Sequence, residues 1–128
     1  MIAGIGIDIC RRDRFVGRLD DRAFLEKIFH AQELAMLMHR GEDALGKSAF
    51  LAGRWAAKES LVKALGLGIF VLPLPQMCVV LACNQNGAPQ WQFGPDVQAI
   101  LQERGIHQVF LSLSHEAELV AAVSVLEI

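Results

Sequence analysis

Apolar and polar positions alternate with period two at the start of the chain. Ile5, Ile7 and Ile9 alternate with Gly4, Gly6 and Asp8, which predicts a β-strand from Met1 to Cys10. One face of it is bulky; the other is bare and ends on a carboxylate. A bare face admits another backbone or a ligand at close range. The isoleucines require this strand to join a sheet that buries them. From Lys47 to Leu65 the period becomes helical, in a stretch rich in Ala, Leu and Lys. Gly66-Leu-Gly68 ends that helix, because glycine accepts the left-handed cap conformation. Phe50, Ala57, Leu61, Ala64 and Leu65 share one face, which belongs on a core. Glu59 lies about 180° from Phe50, with Lys63 one turn further on. Ala52 and Ala56 share the Glu59 side and Gly53 lies at its edge. Such small residues permit close approach, so the helix is expected to be covered on both sides.

The remaining pattern is shorter-ranged. Residues 11–20 read as a short basic helix, and Asp21 reads as the cap of a second helix, Arg22 to Phe29. A third runs from about Ala31 to His39, and Gly41-Glu42-Asp43 links it to the long helix. Met77 to Cys83 is apolar and β-rich, Asn84 to Gly87 is a turn, and Gln90 to Phe93 alternates as a returning strand. Asp96 reads as the cap of a helix from about Val97 to Arg104, ended by Gly105. Val109 to His115 alternates as a strand with Ser112 and Ser114 on one face, Glu116-Ala-Glu118 turns it, and Leu119 to Leu126 is the last strand. Helices first and antiparallel strands afterwards give an α+β fold. It forms a single domain, residues 1–128, with an antiparallel sheet packed against one long helix and several short ones.

Composition narrows the function classes. Apolar residues make up 53% and the mean hydropathy is +0.36, high for a soluble monomer, so part of the excess is expected between subunits. No apolar run approaches the roughly 20 residues that span a bilayer. The start lacks the basic-then-apolar order of a signal peptide. Cys10, Cys78 and Cys83 are odd in number without metal-ligand spacing, which fits a reduced, cytoplasmic protein. Residues 1–63 carry 11 of the 12 Lys and Arg and a net +2, whereas residues 64–128 carry a net −4. The basic half suits an anionic ligand or partner but is too weakly basic to argue for nucleic acid.

Three polar groups stand where apolar elements end: Asp8, Glu59 and His115. Taken locally, each has a plain alternative. Asp8 could cap the next segment, Glu59 could pair with Lys63 on a solvated face, and His115 could be a turn residue. Taken together, two carboxylates with few other ligands suit a hard cation such as Mg²⁺, whose remaining ligands are waters and substrate phosphates. Lys63 could then reach a phosphate, giving a metal-assisted phosphoryl-type site. Arg11, Arg14, Arg18 and Arg22 fall within about 80° of one another if the first helix runs that far. They form either a solvated face or a docking strip for an acidic partner.

Gly4-Ile-Gly-Ile-Asp8, Phe29 with Glu33, Phe50 through Arg54, Lys58, Glu59 and Lys63 to Gly68, and Leu111-Ser-Leu-Ser-His115 together resemble the holo-acyl-carrier-protein synthases, the small 4′-phosphopantetheinyl transferases. The resemblance runs the length of the chain, and the long-helix motif is its specific part. It implies transfer of 4′-phosphopantetheine from coenzyme A to a serine of an acyl carrier protein, with release of adenosine 3′,5′-bisphosphate. It implies Asp8 and Glu59 as Mg²⁺ ligands, catalytic together with Lys63. It places Arg54, Lys63, Ser114 and His115 at the donor, and Arg11, Arg14, Arg18, Phe24 and Ile28 at the carrier. It also implies a homotrimer with active sites at subunit interfaces. Phe70-Val-Leu-Pro-Leu-Pro75 is more apolar than the family's usual segment, and Ala88 stands where Lys is common. Both bear on donor affinity and carrier choice. The rival readings are a Mg²⁺-dependent hydrolase of coenzyme A or another pyrophosphate, and a non-catalytic trimer that binds coenzyme A or a carrier.

Overall fold

The computed structural model of the chain describes residues 1–81 and 87–128. Its elements run β1 (Ile2–Arg11), α1 (Arg22–Glu26), α2 (Ala31–His39), α3 (Ala44–Ala64), β2 (Met77–Leu81), β3 (Pro89–Phe93), α4 (Pro95–Glu103), β4 (Gln108–Glu116) and β5 (Leu119–Glu127). Strands β1, β5 and β4 form one antiparallel sheet in that order, and β2 pairs with β3 in a second. This is the expected α+β architecture, with the sheet packed on the long helix. The turn placed at Asn84 to Gly87 lies mostly outside the described residues, as does Cys83.

Helix α3 starts earlier than its apolar pattern because Asp43 caps it, accepting from the Gly46 N–H at 2.8 Å. It ends as the glycines predict. Gly66 adopts φ 69°, the Gly66 N–H donates to the Lys63 carbonyl (3.0 Å), and the Leu67 N–H donates to the Val62 carbonyl (3.1 Å). From Ser48 to Val62 only Ala49 and Glu59 escape full burial, so the helix is covered on both sides.

The glycines of β1 explain that cover. Gly4 and Gly6 face α3, and a Cβ on either would collide with the backbone of Ala64 or Ser60. The helix backbone itself fills the bare face. Alternation then sends the isoleucines outward. Strand β1 joins the sheet as expected, but Ile5, Ile7 and Ile9 remain 62%, 65% and 62% exposed. The expectation that sheet pairing alone buries them fails, because α3 takes the only face it can approach closely.

Residues 11–20 do not form the expected basic helix. Strand β1 runs through Arg11, and the only helical piece is a 3₁₀ turn, Val16–Arg18. Phe15 is the reason. It is buried edge-on against Phe29 and Trp55, and its N–H donates to Ser48 Oγ at 2.8 Å. One anchored aromatic among charged residues holds a turn; it offers no apolar stripe to a helix. Helix α1 stops at Glu26, so Ile28 and Phe29 enter the core from a turn. Asp21 does cap α1, accepting from the Phe24 N–H. Asp96 does not cap α4; Gly94 holds that position, and Asp96 exchanges hydrogen bonds with the Gln76 side chain at 2.9 Å each way.

Candidate active site

The row of β1 that faces α3 reads Gly4, Gly6, Asp8, Cys10. Two glycines let helix and strand touch, and Asp8 is where a side chain first returns. Its carboxylate therefore projects between strand and helix, with a side chain only 12% exposed. Lys63 reaches over from α3, donating to Asp8 Oδ1 at 3.0 Å and to the Ile7 carbonyl at 3.1 Å. Lys63 thus bonds Asp8 rather than Glu59, its expected partner one turn back. Glu59 is held above the ordinary carboxylate range, first by removal from water and next by the negative charge of Asp8; Lys63 and Arg14 oppose this. Burial likewise pushes the neighbouring Cys10 thiol up.

Lys63 bonds only Asp8 and Arg14 acts on Glu59 through space, which leaves Glu59 without a bonded cation in a half-buried place. Such a site favours a cation. Among the described residues no third Asp, Glu, His or Cys joins them. A hard cation held here would keep several ligand positions for water or phosphate oxygens.

A cavity of about 770 Å³ lies between the first turns of α3 and the β4–β5 end of the sheet. Arg12, His39, Arg40, Arg54 and His115 line it, with Phe50 and Gly53 below. The Arg54 guanidinium sits 3.9 Å over the Phe50 ring and is 8% exposed. Burial holds its pKa down, and its Nε has no hydrogen-bond partner among the described residues. A buried cation with an idle donor, beside an open cavity, is equipped to hold an anion.

A family model described as the 4′-phosphopantetheinyl transferase superfamily matches residues 4–123. The chain belongs to this superfamily. The holo-[acyl-carrier-protein] synthase of Treponema denticola is 38% identical over 128 residues, 99% of each chain. The crystal structure of the holo-[acyl-carrier-protein] synthase from Neisseria meningitidis covers 100% of both chains at 34% identity, with a TM-score of 0.84. That of a Bacillus anthracis holo-(acyl-carrier-protein) synthase in complex with coenzyme A (3′,5′-ADP) covers 98% of this chain and 96% of its own, at 33% identity and a TM-score of 0.75.

The transferase brings Asp8, Glu59 and Lys63 together, and it brings Arg54 and His115 to one cavity. It does not bring Ser114 there. Ser114 registers with Ala121 and hence with Ile9, on the outward face, whereas His115 registers with Val120 and Cys10 on the inner one. The arginines expected on one helical strip have separate settings. Arg11 pairs with Asp13 and Arg22 with Glu26. Arg14 lies 4.8 Å over Trp55, and Arg18 lies 4.6 Å over a half-buried Phe24. Ile28 is in the core and presents nothing to a carrier. Phe70 and Val71 of the unusually apolar segment are exposed, Phe70 with φ 69°.

One polar constellation of the transferase went unassigned in the sequence. Lys58 is fully buried and donates to Glu33 Oε1 (2.7 Å) and to the carbonyls of Leu74 (3.0 Å) and Met77 (2.7 Å). Glu33 also accepts from the N–H groups of His30 (2.9 Å) and Val79 (3.3 Å). The signal was present: Lys58 lies about 80° round the helix from Phe50, inside the apolar arc. Cys78 beside this pair is pushed up to about 11, mostly by burial and then by Glu33.

Proposed function

We propose that this transferase moves the 4′-phosphopantetheinyl group of coenzyme A to a serine hydroxyl of an apo acyl carrier protein, with Mg²⁺, as a cytoplasmic homotrimer. The serine oxygen forms a bond to the pantetheine-bearing phosphorus, and the bond from that phosphorus to the bridging oxygen breaks. Adenosine 3′,5′-bisphosphate leaves with the electron pair, and the serine proton goes to solvent or base. The observation that carries this reading is the pair Asp8 and Glu59 with Lys63 beside it. Held by those carboxylates, Mg²⁺ would neutralise charge on the pyrophosphate. Lys63 offers a second positive charge on the same side, and Arg54 and His115 line a cavity for the rest of the donor.

The trimer is supported by the outward face of the sheet. Ile5, Ile7 and Ile9 stand exposed beside half-buried Val123 and Val125, an apolar surface that an assembly would cover. Ser114 shares that face and would meet a neighbouring protomer, in keeping with active sites at subunit interfaces. Light scattering should give three times the 14.1 kDa chain mass. No helix among the described residues is long and apolar enough to cross a membrane.

Arg14 and Arg18 lie in the exposed turns that follow β1, the strand that carries Asp8, so an acidic carrier docked there would bring its serine towards the carboxylates. Mass spectrometry of apo-carriers incubated with the protein, coenzyme A and Mg²⁺ tests the reading. A mass gain of one phosphopantetheinyl group is expected. Coenzyme A breakdown without carrier would make the protein a hydrolase, and binding without modification a non-catalytic module.

A further inference from the structure

Helix α3 meets the sheet beside the two carboxylates across a smooth contact. At the level of Gly6 the sheet offers bare backbone, and the Ser60 carbonyl fills the place of the missing side chain. Interdigitated side chains resist sliding and rotation, and a glycine face supplies none. A directional link is present instead. Ser124 registers with Gly6, and its Oγ lies 2.7 Å from Ser60 Oγ. Ser60 Oγ donates its single proton to the Ala57 carbonyl at 2.7 Å, so Ser124 is the donor within the pair. Both serines are fully buried. Among the described residues theirs is the only side-chain hydrogen bond between α3 and β5.

The place of this bond in the chain ties it to the site. Glu59 precedes Ser60 on α3, and Asp8 follows Gly6 on the inner row of β1. The β1–β5 ladder fixes Asp8 relative to Ser124, so a bond from Ser124 to Ser60 fixes Glu59 relative to Asp8. Lys63 makes the other side-chain link from α3 to this sheet, but its side chain is 51% exposed and, in the function proposed above, serves a phosphate. We propose that Ser60 and Ser124 are positioning residues. Their hydrogen bond holds α3 in the rotation that presents Glu59 to Asp8, and thereby sets the affinity of the two carboxylates for Mg²⁺. The proposal rests on the metal site of that reading.

Calorimetry tests this without turnover, with Mg²⁺ titrated into protein saturated with coenzyme A and free of carrier. Ser124→Ala leaves Ser60 its Ala57 acceptor, so the variant should melt close to the wild type. It should nevertheless bind Mg²⁺ about fivefold more weakly, the size of one lost neutral hydrogen bond, and need about fivefold more Mg²⁺ for its half-maximal rate. Ser60→Ala strands the Ser124 hydroxyl in the core and should melt lower. The double variant should bind Mg²⁺ no more weakly than Ser124→Ala, since both changes break one bond. Ser48→Ala is the control. It removes another buried hydroxyl of α3, the acceptor of the Phe15 N–H, and should lower the melting temperature with Mg²⁺ affinity unchanged. Should Ser124→Ala lose its melting transition, Ser124→Cys carries the comparison, because a thiol is a weak donor in the same place; it should also weaken Mg²⁺. Equal Mg²⁺ affinity in the Ser124 variant and the wild type, an equal loss in Ser48→Ala, or no Mg²⁺ binding by the wild type overturns the proposal. Selective weakening in a protein that transfers nothing to any carrier would sustain the positioning role while removing the transferase reading.

Discussion

Lys58 and Glu59 are neighbours on one helix, yet their charges are treated in opposite ways. Lys58 points into the core and meets Glu33 and two carbonyls, so each of its three N–H groups has an acceptor and the local charge balances. Glu59 points to the strand side and meets Asp8, another carboxylate, with Lys63 offsetting only part of the charge. The first cluster is closed and neutral; the second is half-open and negative. A complete buried pair has nothing left to offer a ligand, and its effect is to tie α2, α3 and β2 together. An incomplete one retains affinity for whatever completes it.

Breaking the closed cluster should have the largest effect. Lys58→Met strands the Glu33 carboxylate without its cation, a change expected to destabilise by about 3–5 kcal/mol. Urea denaturation should register it, and a Glu33→Gln, Lys58→Met double variant should recover much of the loss. Equal stability of Lys58→Met and wild type would mean that the pair does not brace the core.

Breaking the open cluster should spare the fold and cost turnover. Asp8→Asn and Glu59→Gln should each lower kcat at least about tenfold, roughly 1.4 kcal/mol of transition-state stabilisation. The melting temperature of Glu59→Gln without metal should equal or exceed that of the wild type, since it removes a partly buried charge beside Asp8, whereas Asp8→Asn also gives up the Lys63 ion pair and should stay folded with a smaller gain or a small loss. Near-normal turnover in either variant would take that residue out of the site.

A smaller effect is expected at the rim. Arg14→Glu should raise the carrier KM about fivefold, on the scale of roughly 1 kcal/mol for an exposed charge contact, and leave the coenzyme A KM nearly unchanged. Added salt should weaken carrier use more in the wild type than in the variant. An unchanged carrier KM would place docking elsewhere.

The gentlest probe is pH. Glu59 in the fold is raised from its ordinary value of 4.5, so the folded chain holds that proton more tightly than the unfolded chain does. The stability it lends is present below the ordinary value and lost as pH rises through the raised one. Metal-free wild type should therefore lose melting temperature over that window, and Glu59→Gln should lose less. Matching profiles would mean that burial and Asp8 do not hold Glu59 above its ordinary range in solution.

Several features could be read without coordinates. The Gly4-x-Gly6 face, the glycine stop after Leu65, the Asp21 cap and α2 are local, and their rules act within a few residues. Motif and resemblance single out Asp8, Glu59, Lys63, Arg54 and His115, of which the fold gathers the first three at one place and the last two at one cavity. The basic helix at residues 11–20 was misread because charge spacing says nothing of Phe15, whose burial depends on Phe29 and Trp55 far along the chain.

By itself the sequence determined the kinds of element, their order, and which strand face could accept a helix. A glycine row excludes everything but close backbone contact, and that is steric and local. Which acid Lys63 would bond, which sheet face Ser114 would take, and which charges would be closed off were decided only in three dimensions. Those outcomes depend on strand register and helix rotation, set by the packing of α3 on the sheet, and a change of one residue in register would exchange the two faces.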